Sequence, residues 1–318
     1  METMSLYYFT ELAKTLNITK TAERLFMSQQ TLSNHIARLE EHFDMPLFYR
    51  TPSLSLTPAG EEVLAFANTV SREETNLRDK LSDMKREDSG LLRFGGSTVR
   101  INNLLPHILP QFTARYPKVD VKFNSAAART SQSMILDGRQ DLAMTVSYER
   151  NPNLIAHHLA TDHIYLCVSD ELLRRYYGEE TDALKRKSVH GARIEDFARL
   201  PFCIADNLLG DRVNLCFREA ELTPWAYVTC DKTQLSAAVC YEGLAAAFIS
   251  HIYLLEQEDM VPLNINIFPL LYKGEPLVQH LYLIRRKDRY LPHYSKYFMD
   301  LLIRYYSDLE HIHLDHIV

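Results

Sequence analysis

Residues 19–39 read TKTAERLFMSQQTLSNHIARL. Helical spacing breaks at Met27-Ser28 and then resumes. Leu32, Ile36 and Leu39 recur at i, i+4 and i+7 on one face, while Gln29, Gln30, Thr31, Ser33 and Asn34 occupy another. One face is suited to a core, and the other offers hydrogen-bond donors and acceptors. Ser28 fits the N-cap of the second segment, which the spacing carries to about His42. The segment before the break has Thr19 as its expected N-cap, with Ala22 and Leu25 turned inward. Two helices joined by so short a turn form a helix-turn-helix, whose second helix lies in the major groove of DNA.

Working outward, Leu6, Phe9, Leu12, Ala13 and Leu16 predict a preceding helix over Ser5–Leu16, interrupted at Asn17-Ile18. After Pro46, the alternation in LFYRTPSLSLTPAG predicts a two-stranded wing turning at Pro52. Thr57-Pro58 then has the pattern of an N-cap followed by a first-turn proline. From Ala59 to about Asp88 no proline intervenes, and Val63, Val70, Leu77 and Met84 recur every seven residues. Ala67 and Leu81 fill the seam and Glu74 breaks it, which predicts a long helix pairing with a second copy of itself.

Beyond Ser89-Gly90 the pattern becomes α/β. LLRFGGS, VDVKFNS, DLAMTVS, FCIA, YVTC, GLAAAFIS and VQHLYLIRR read as strands, as do the apolar stretches of LIAHHLATDHIYLCVS. Helical stretches alternate with them, and a last helix is expected over Tyr294–Asp308. Strand-helix units without a glycine-rich phosphate loop predict a two-lobed open-sheet domain that admits a ligand at strand ends. The expected organisation is a DNA-binding domain over 1–58, a dimerisation helix over 59–88 and a regulatory domain over 89–318.

The 318 residues are 46% hydrophobic and 24% charged, an ordinary composition for a soluble globular chain. No secretory pattern opens the sequence and no apolar run reaches membrane-spanning length, so a cytoplasmic protein without membrane association is expected. Five cysteines without CxxC spacing argue against both a disulfide framework and a structural zinc site. The net charge of -6 supplies no global basic footprint. Nor do residues 1–58, where Lys14, Lys20, Arg24, Arg38 and Arg50 meet Glu2, Glu11, Glu23, Glu40, Glu41 and Asp44.

The run AERLFMSQQTLSNHIARLEEHFDMPLFYRTPSLSLTPAG resembles the LysR-type transcriptional regulators. It carries Ala22-Glu23-Arg24-Leu25, Ser28-Gln29, Leu32-Ser33, Ile36, Leu39-Glu40, Leu47-Phe48-Arg50 and Leu56-Thr57-Ala59-Gly60 in that family's order. Further on, LRFGGST, LPQFTARYP and ILDGRQDLAM match more loosely. The resemblance implies an α/β protein overall: an all-α winged helix-turn-helix with a linker helix, then a two-lobed, periplasmic-binding-protein-like regulatory domain. It implies double-stranded DNA and a small effector as partners, a homodimer or homotetramer, no cofactor and no catalytic role. Asn34 and the Pro52-Ser53-Leu54-Ser55 wing stand where the family usually has basic residues. Phosphate contacts should be correspondingly fewer.

DNA contacts are expected from Ser28, Gln29, Gln30, Thr31, Ser33 and Asn34, with base reading by the last five, since Gln and Asn suit adenine and Thr can meet a thymine methyl; a solvated helix face is the alternative. Arg38 and Arg50 are expected to make phosphate or structural contacts. For the effector, Ser97-Thr98 and Thr130-Ser131 stand at strand-to-helix junctions, where free amides favour an anion or carbonyl, although ordinary capping is the alternative. Cys203 to Asp206 and Thr229 to Thr233 end strands expected to form the facing wall. Arg100 and Arg129 are candidates to pair with a carboxylate effector, with plain surface charge as the alternative.

Two rival readings remain open. One is a solute-binding protein or enzyme on the same bilobal fold. The other is a thiol redox-sensing regulator using Cys203 and Cys216, since some relatives sense peroxide through a thiol pair. His157, His158 and His163, or His311, His313, Asp315 and His316, are weak metal candidates beside a solvated terminus.

Overall fold

The computed structural model describes residues 3–85, 88–125, 128–310 and 312, with the side chains of 128, 129 and 310 outside the description. The chain divides into two units, Met1–Glu87 with Tyr290–Pro292, and Asp88–Arg289 with His293–Val318.

In the first unit, helices α1 (Thr3–Thr15), α2 (Ile18–Arg24) and α3 (Gln29–Phe43) are followed by strands β1 (Phe48–Tyr49) and β2 (Ser55–Leu56) and helix α4 (Pro58–Lys85). Leu6, Phe9 and Leu12 of α1 bury against Ile36 and Leu39 of α3 and Leu47 and Phe48 of the wing. Asn17, not Thr19, caps α2. Its backbone is extended and its Oδ1 accepts from the Lys20 N–H at 3.0 Å, so the helix begins a residue before Thr19. The wing is the expected antiparallel pair, Phe48 opposite Leu56. Thr57 Oγ1 accepts from the Gly60 N–H at 2.9 Å at the start of α4. A Cβ on Gly60 would lie 2.1 Å from the Leu47 carbonyl oxygen, so the wing approaches α4 too closely for any side chain there.

The expected seam of α4 divides in two. Val63, Ala67 and Val70 pack into the core of their own unit, whereas Leu77, Leu81 and Met84 are exposed. Phe66, eleven residues before Leu77 and therefore on nearly the same face, is exposed as well. A heptad count alone does not distinguish an intramolecular partner from a second copy.

The second unit contains β3 (Ser89–Gly96), α5 (Thr98–Arg115), β4 (Lys118–Ser125), α6 (Ala128–Leu136), β5 (Leu142–Thr145), β6 (Leu154–Ser169), α7 (Asp170–Tyr177), α8 (Thr181–Ser188), β7 (Pro201–Ala205), α9 (Leu208–Glu219), β8 (Trp225–Cys230) and α10 (Thr233–Tyr241). It continues with β9 (Ala246–Ser250), α11 (His251–Glu256), β10 (Ile265–Pro269), β11 (Leu271–Tyr272), β12 (Glu275–Pro276), β13 (Val278–Arg286) and α12 (His293–Glu310). The main sheet runs β4-β3-β5-β13-β6-β9-β7-β8, with β10 also on β6.

Strand β6 makes this one sheet out of two lobes. Leu154–His163 pair with β13, and from Ile164 onward the strand pairs with β9 and β10. In lobe I, β3 runs parallel to β4 and β5, and Phe94, Phe112 and Phe298 interlock edge to face. In lobe II, β7 runs parallel to β8 and β9. One of its cores holds Phe202, Phe217 and Phe248, and the other holds Cys167, Cys203, Cys240 and Ile249.

Candidate functional site

On α3, Leu32, Ile36 and Leu39 are buried while Ser28, Gln29, Gln30, Thr31, Asn34 and Arg38 are exposed and Ser33 is half-buried. The Ser28 hydroxyl accepts from the Thr31 N–H at 3.0 Å and lies 2.8 Å from the Thr31 hydroxyl. Both hydroxyls thus serve the helix start, leaving the amides of Gln29, Gln30 and Asn34 as the groups projecting from it. Arg50 donates to Glu40 at 3.1 Å, and the other Glu40 oxygen accepts from the Leu47 N–H at 2.9 Å. That carboxylate ties the wing to α3, giving Arg50 a structural partner. Phe26, 97% exposed with φ 54° in the turn before α3, has no counterpart in the expected reading set.

In lobe I, Ser97 caps α5, and the Thr98 hydroxyl lies 2.5 Å from that of Ser125 at the end of the neighbouring strand. The start of α6 differs from expectation. The helix begins at Ala128, so Thr130 and Ser131 lie within its first turn and not at a cap. Thr130 is exposed, whereas Ser131 is fully buried, one turn before the fully buried Ile135 on the inward face. The Arg129 side chain lies outside the described residues.

In lobe II, Asp206 and Thr229 are exposed at the ends of parallel strands. Cys203 is not. It points into the core with its Sγ 3.6 Å from that of Cys230, and burial pushes its thiol up to about 11. Cys216 belongs to the other core cluster, so it forms no pair with Cys203, and burial raises it to about 11 as well. The Cys203–Cys216 redox couple is therefore absent: the two side chains pack in different cores, and a raised pKa leaves little thiolate at neutral pH. Among the described residues no three metal-ligating side chains gather, and of the tail candidates His311, His313, Asp315 and His316 lie outside them.

The starts of three helices converge where β6 crosses β13. Arg100 in the first turn of α5 donates to Asp162 at 3.3 Å, and the Ile252 N–H at the start of α11 donates to the same carboxylate at 3.0 Å. Gln279, opposite Asp162 on β13, donates at 2.8 Å. Asp162 is wholly buried, so these three donors replace its water. Arg100, expected to be available to an effector, is committed to this pair. The third helix is α9, whose Arg212 donates to the Val278 carbonyl at 3.1 Å. Nearby, Asn103 of α5 donates to Glu256 of α11 at 2.7 Å and Tyr305 of α12 donates at 3.2 Å.

On the opposite face of the same crossing, His280 pairs across the strands with Thr161, and Tyr282 with His158. A register shift between Leu281 and Tyr282 brings His158 and Thr161 to one face although they are three residues apart. The Thr161 hydroxyl lies 3.4 Å from His158 Nε2 and 3.5 Å from His280 Nδ1, and the two imidazole centroids are 5.4 Å apart. Burial lowers the His280 pKa, with the His158 and Arg212 charges adding to the effect. Sequence reading singled out His158 only as a weak metal candidate and did not join it to Thr161 and His280. The trace of this cluster was a row of His, His, Thr, Asp and His inside a stretch otherwise fit for a buried strand.

Two family models cover nearly the whole chain: a LysR substrate binding domain over residues 85–307, and a bacterial regulatory helix-turn-helix protein of the lysR family over 4–61. The transcriptional regulator IlvY of Escherichia coli K12 is 26% identical over 264 residues, 82% of this chain and 86% of that one. YkuM of Bacillus subtilis 168, an uncharacterized HTH-type transcriptional regulator, is 30% identical over 179 residues, 54% of this chain and only 60% of that protein. Among solved structures, a single-residue variant of full-length OxyR from Pseudomonas aeruginosa superposes with TM-score 0.67 at 17% identity, covering 96% of this chain and 94% of that one. Full-length CbnR complexed with its target DNA superposes with TM-score 0.59 at 19% identity, over 96% and 99%. At such identities the likeness concerns the fold. The family models, which match both the helix-turn-helix and the bilobal part, show more: the chain belongs to the LysR family of DNA-binding transcriptional regulators, not enzymes, with an effector-binding domain in its C-terminal part.

Proposed function

We propose that α3 reads its operator through Gln29, Gln30, Ser33 and Asn34, that a small effector binds between the lobes, and that two copies pair along the exposed stripe of α4. The observation that carries the proposal is the division of α3 into a buried apolar face and an exposed amide face capped by Ser28. Thr98, Thr130, Asp206 and Thr229 supply exposed polar groups for the effector. Effector binding biases two arrangements of the lobes and so changes how the paired helices meet DNA.

The test is a gel shift with DNA from upstream of the chain's own coding sequence, using Gln29→Ala and Ser33→Ala beside the parent. Each change removes little packing, so weakened binding with unchanged oligomeric state supports the reading face. Parent-like affinity in both variants would move recognition elsewhere. A thermal-shift screen of metabolites on the full chain then seeks the effector, because a ligand selective for the native state stabilises it by mass action.

A further inference from the structure

We infer that Arg286 holds a buried monovalent inorganic anion, of the chloride class, at the corner of lobe I where β5 begins and β13 ends. The site is separate from the effector reading. Strands β3 and β5 run parallel, and the start of β5 lies upstream of the β3–α5 junction that carries Thr98.

The guanidinium is the first observation. Arg286 is 5% exposed and its Nε donates to Asp288, but Nη1 and Nη2 are both buried with no hydrogen-bond partner. Asp288 engages one of the three nitrogens, and its own side chain is 60% exposed. Buried charges are ordinarily paired and fully hydrogen-bonded, so two bare N–H edges on a buried guanidinium require a partner. Arg289 of the same corner has one, since it donates to Asp141 at 2.9 Å.

The second observation is that the neighbouring carboxylate is taken. The register that sets Leu142 opposite Arg285 and Phe94 puts Asp141 opposite Arg286 and Arg93. Asp141 nevertheless serves Arg289, accepts from the Arg93 N–H at 2.9 Å and lies 3.6 Å from the Arg93 guanidinium. The third is Gln140, the residue before it. Gln140 is 2% exposed, neither its Nε2 nor its Oε1 has a partner, and its amide lies over Gly95, where a Cβ would come within 2.2 Å.

Two buried polar side chains left open at one corner call for an enclosed ligand. Water satisfies an amide but supplies no charge to offset a guanidinium. An anion does both, accepting charge-assisted bonds from Nη1 and Nη2. Because Arg286 is closed off from solvent, the ligand must be small, which excludes an organic anion of metabolite size. A single charge matches the one guanidinium it meets.

The test uses the full-length protein at fixed pH and ionic strength, with sodium chloride or bromide replacing sodium gluconate. Gluconate is monovalent and too large to be enclosed. The midpoint of thermal unfolding should rise and level off as halide replaces it, since an ion that binds only the native state stabilises it by mass action. Arg286→Gln should need about tenfold more halide or beyond for the same rise, and Arg286→Lys should keep part of the response. Anomalous diffraction from crystals of the parent grown in bromide should show a peak beside Nη1 and Nη2, and this holds the claim to account if a variant fails to fold. Equal midpoints in chloride and gluconate, or a halide response unchanged in Arg286→Gln, would overturn the inference. A solvent peak at the guanidinium that bromide does not mark would overturn it too, assigning the corner to water.

Discussion

Asp162 shows how much one buried side chain holds. Its carboxylate accepts from Arg100, Gln279 and the Ile252 N–H, joining a lobe I helix, a crossing strand and a lobe II helix. Asp162→Ala would leave the Arg100 guanidinium, whose side chain is only 16% exposed, without its counter-charge. The expected loss is about 3–5 kcal/mol, read as a lower urea midpoint, and an unchanged midpoint would show that water replaces the carboxylate. Glu256 carries a second consequence. Burial raises its pKa, with Asp162 adding to that, against the hydrogen bonds from Asn103 and Tyr305 and the Arg100 charge. A carboxyl held above its unfolded value of 4.5 contributes stability at low pH, and this is lost as pH rises from there through the folded value. Glu256→Gln should therefore flatten the decline in stability as pH rises above 4.5. Parallel denaturation profiles for the two proteins would contradict this.

Among the elements, α4 is where periodicity informed and misled at once. Its start followed from Thr57-Pro58, but the seven-residue repeat runs through a buried half and an exposed half. Val63 and Ala67 belong to the core of their own unit, while Leu77, Leu81 and Met84 are exposed and form the stripe proposed to pair with a second copy. Leu77→Glu with Leu81→Glu should therefore dissociate the dimer without unfolding the helix-turn-helix, as measured by sedimentation. A dimer that survives would put the main interface outside α4. The same limit applies to sites. Ser28 and the amide face of α3 were legible because a cap and a helical period are local facts. The inward turn of Ser131 and Cys203 was not, since it depends on where α6 begins and on which face of β7 meets a core. The juxtaposition of His158, Thr161 and His280 was hidden for a related reason: a bulge reverses the alternation that would have separated His158 from Thr161.

The whole molecule carries a DNA-binding unit that is not basic overall and a lobed effector-binding unit. With few cations near α3, the proposed reading expects affinity to come from backbone amides, base contacts and the pairing of two copies on two half-sites. Binding that depends on paired half-sites should leave a symmetric imprint on the DNA it selects. The direct measurement is repeated selection from a pool of random-sequence duplexes by the full-length protein, with Gln29→Ala/Ser33→Ala carried in parallel. The expected outcome is one inverted-repeat motif, bound roughly a thousandfold or more above scrambled sequence, and loss of that enrichment in the double variant. Retained DNA with no shared motif, or the same motif enriched equally by the double variant, would contradict it.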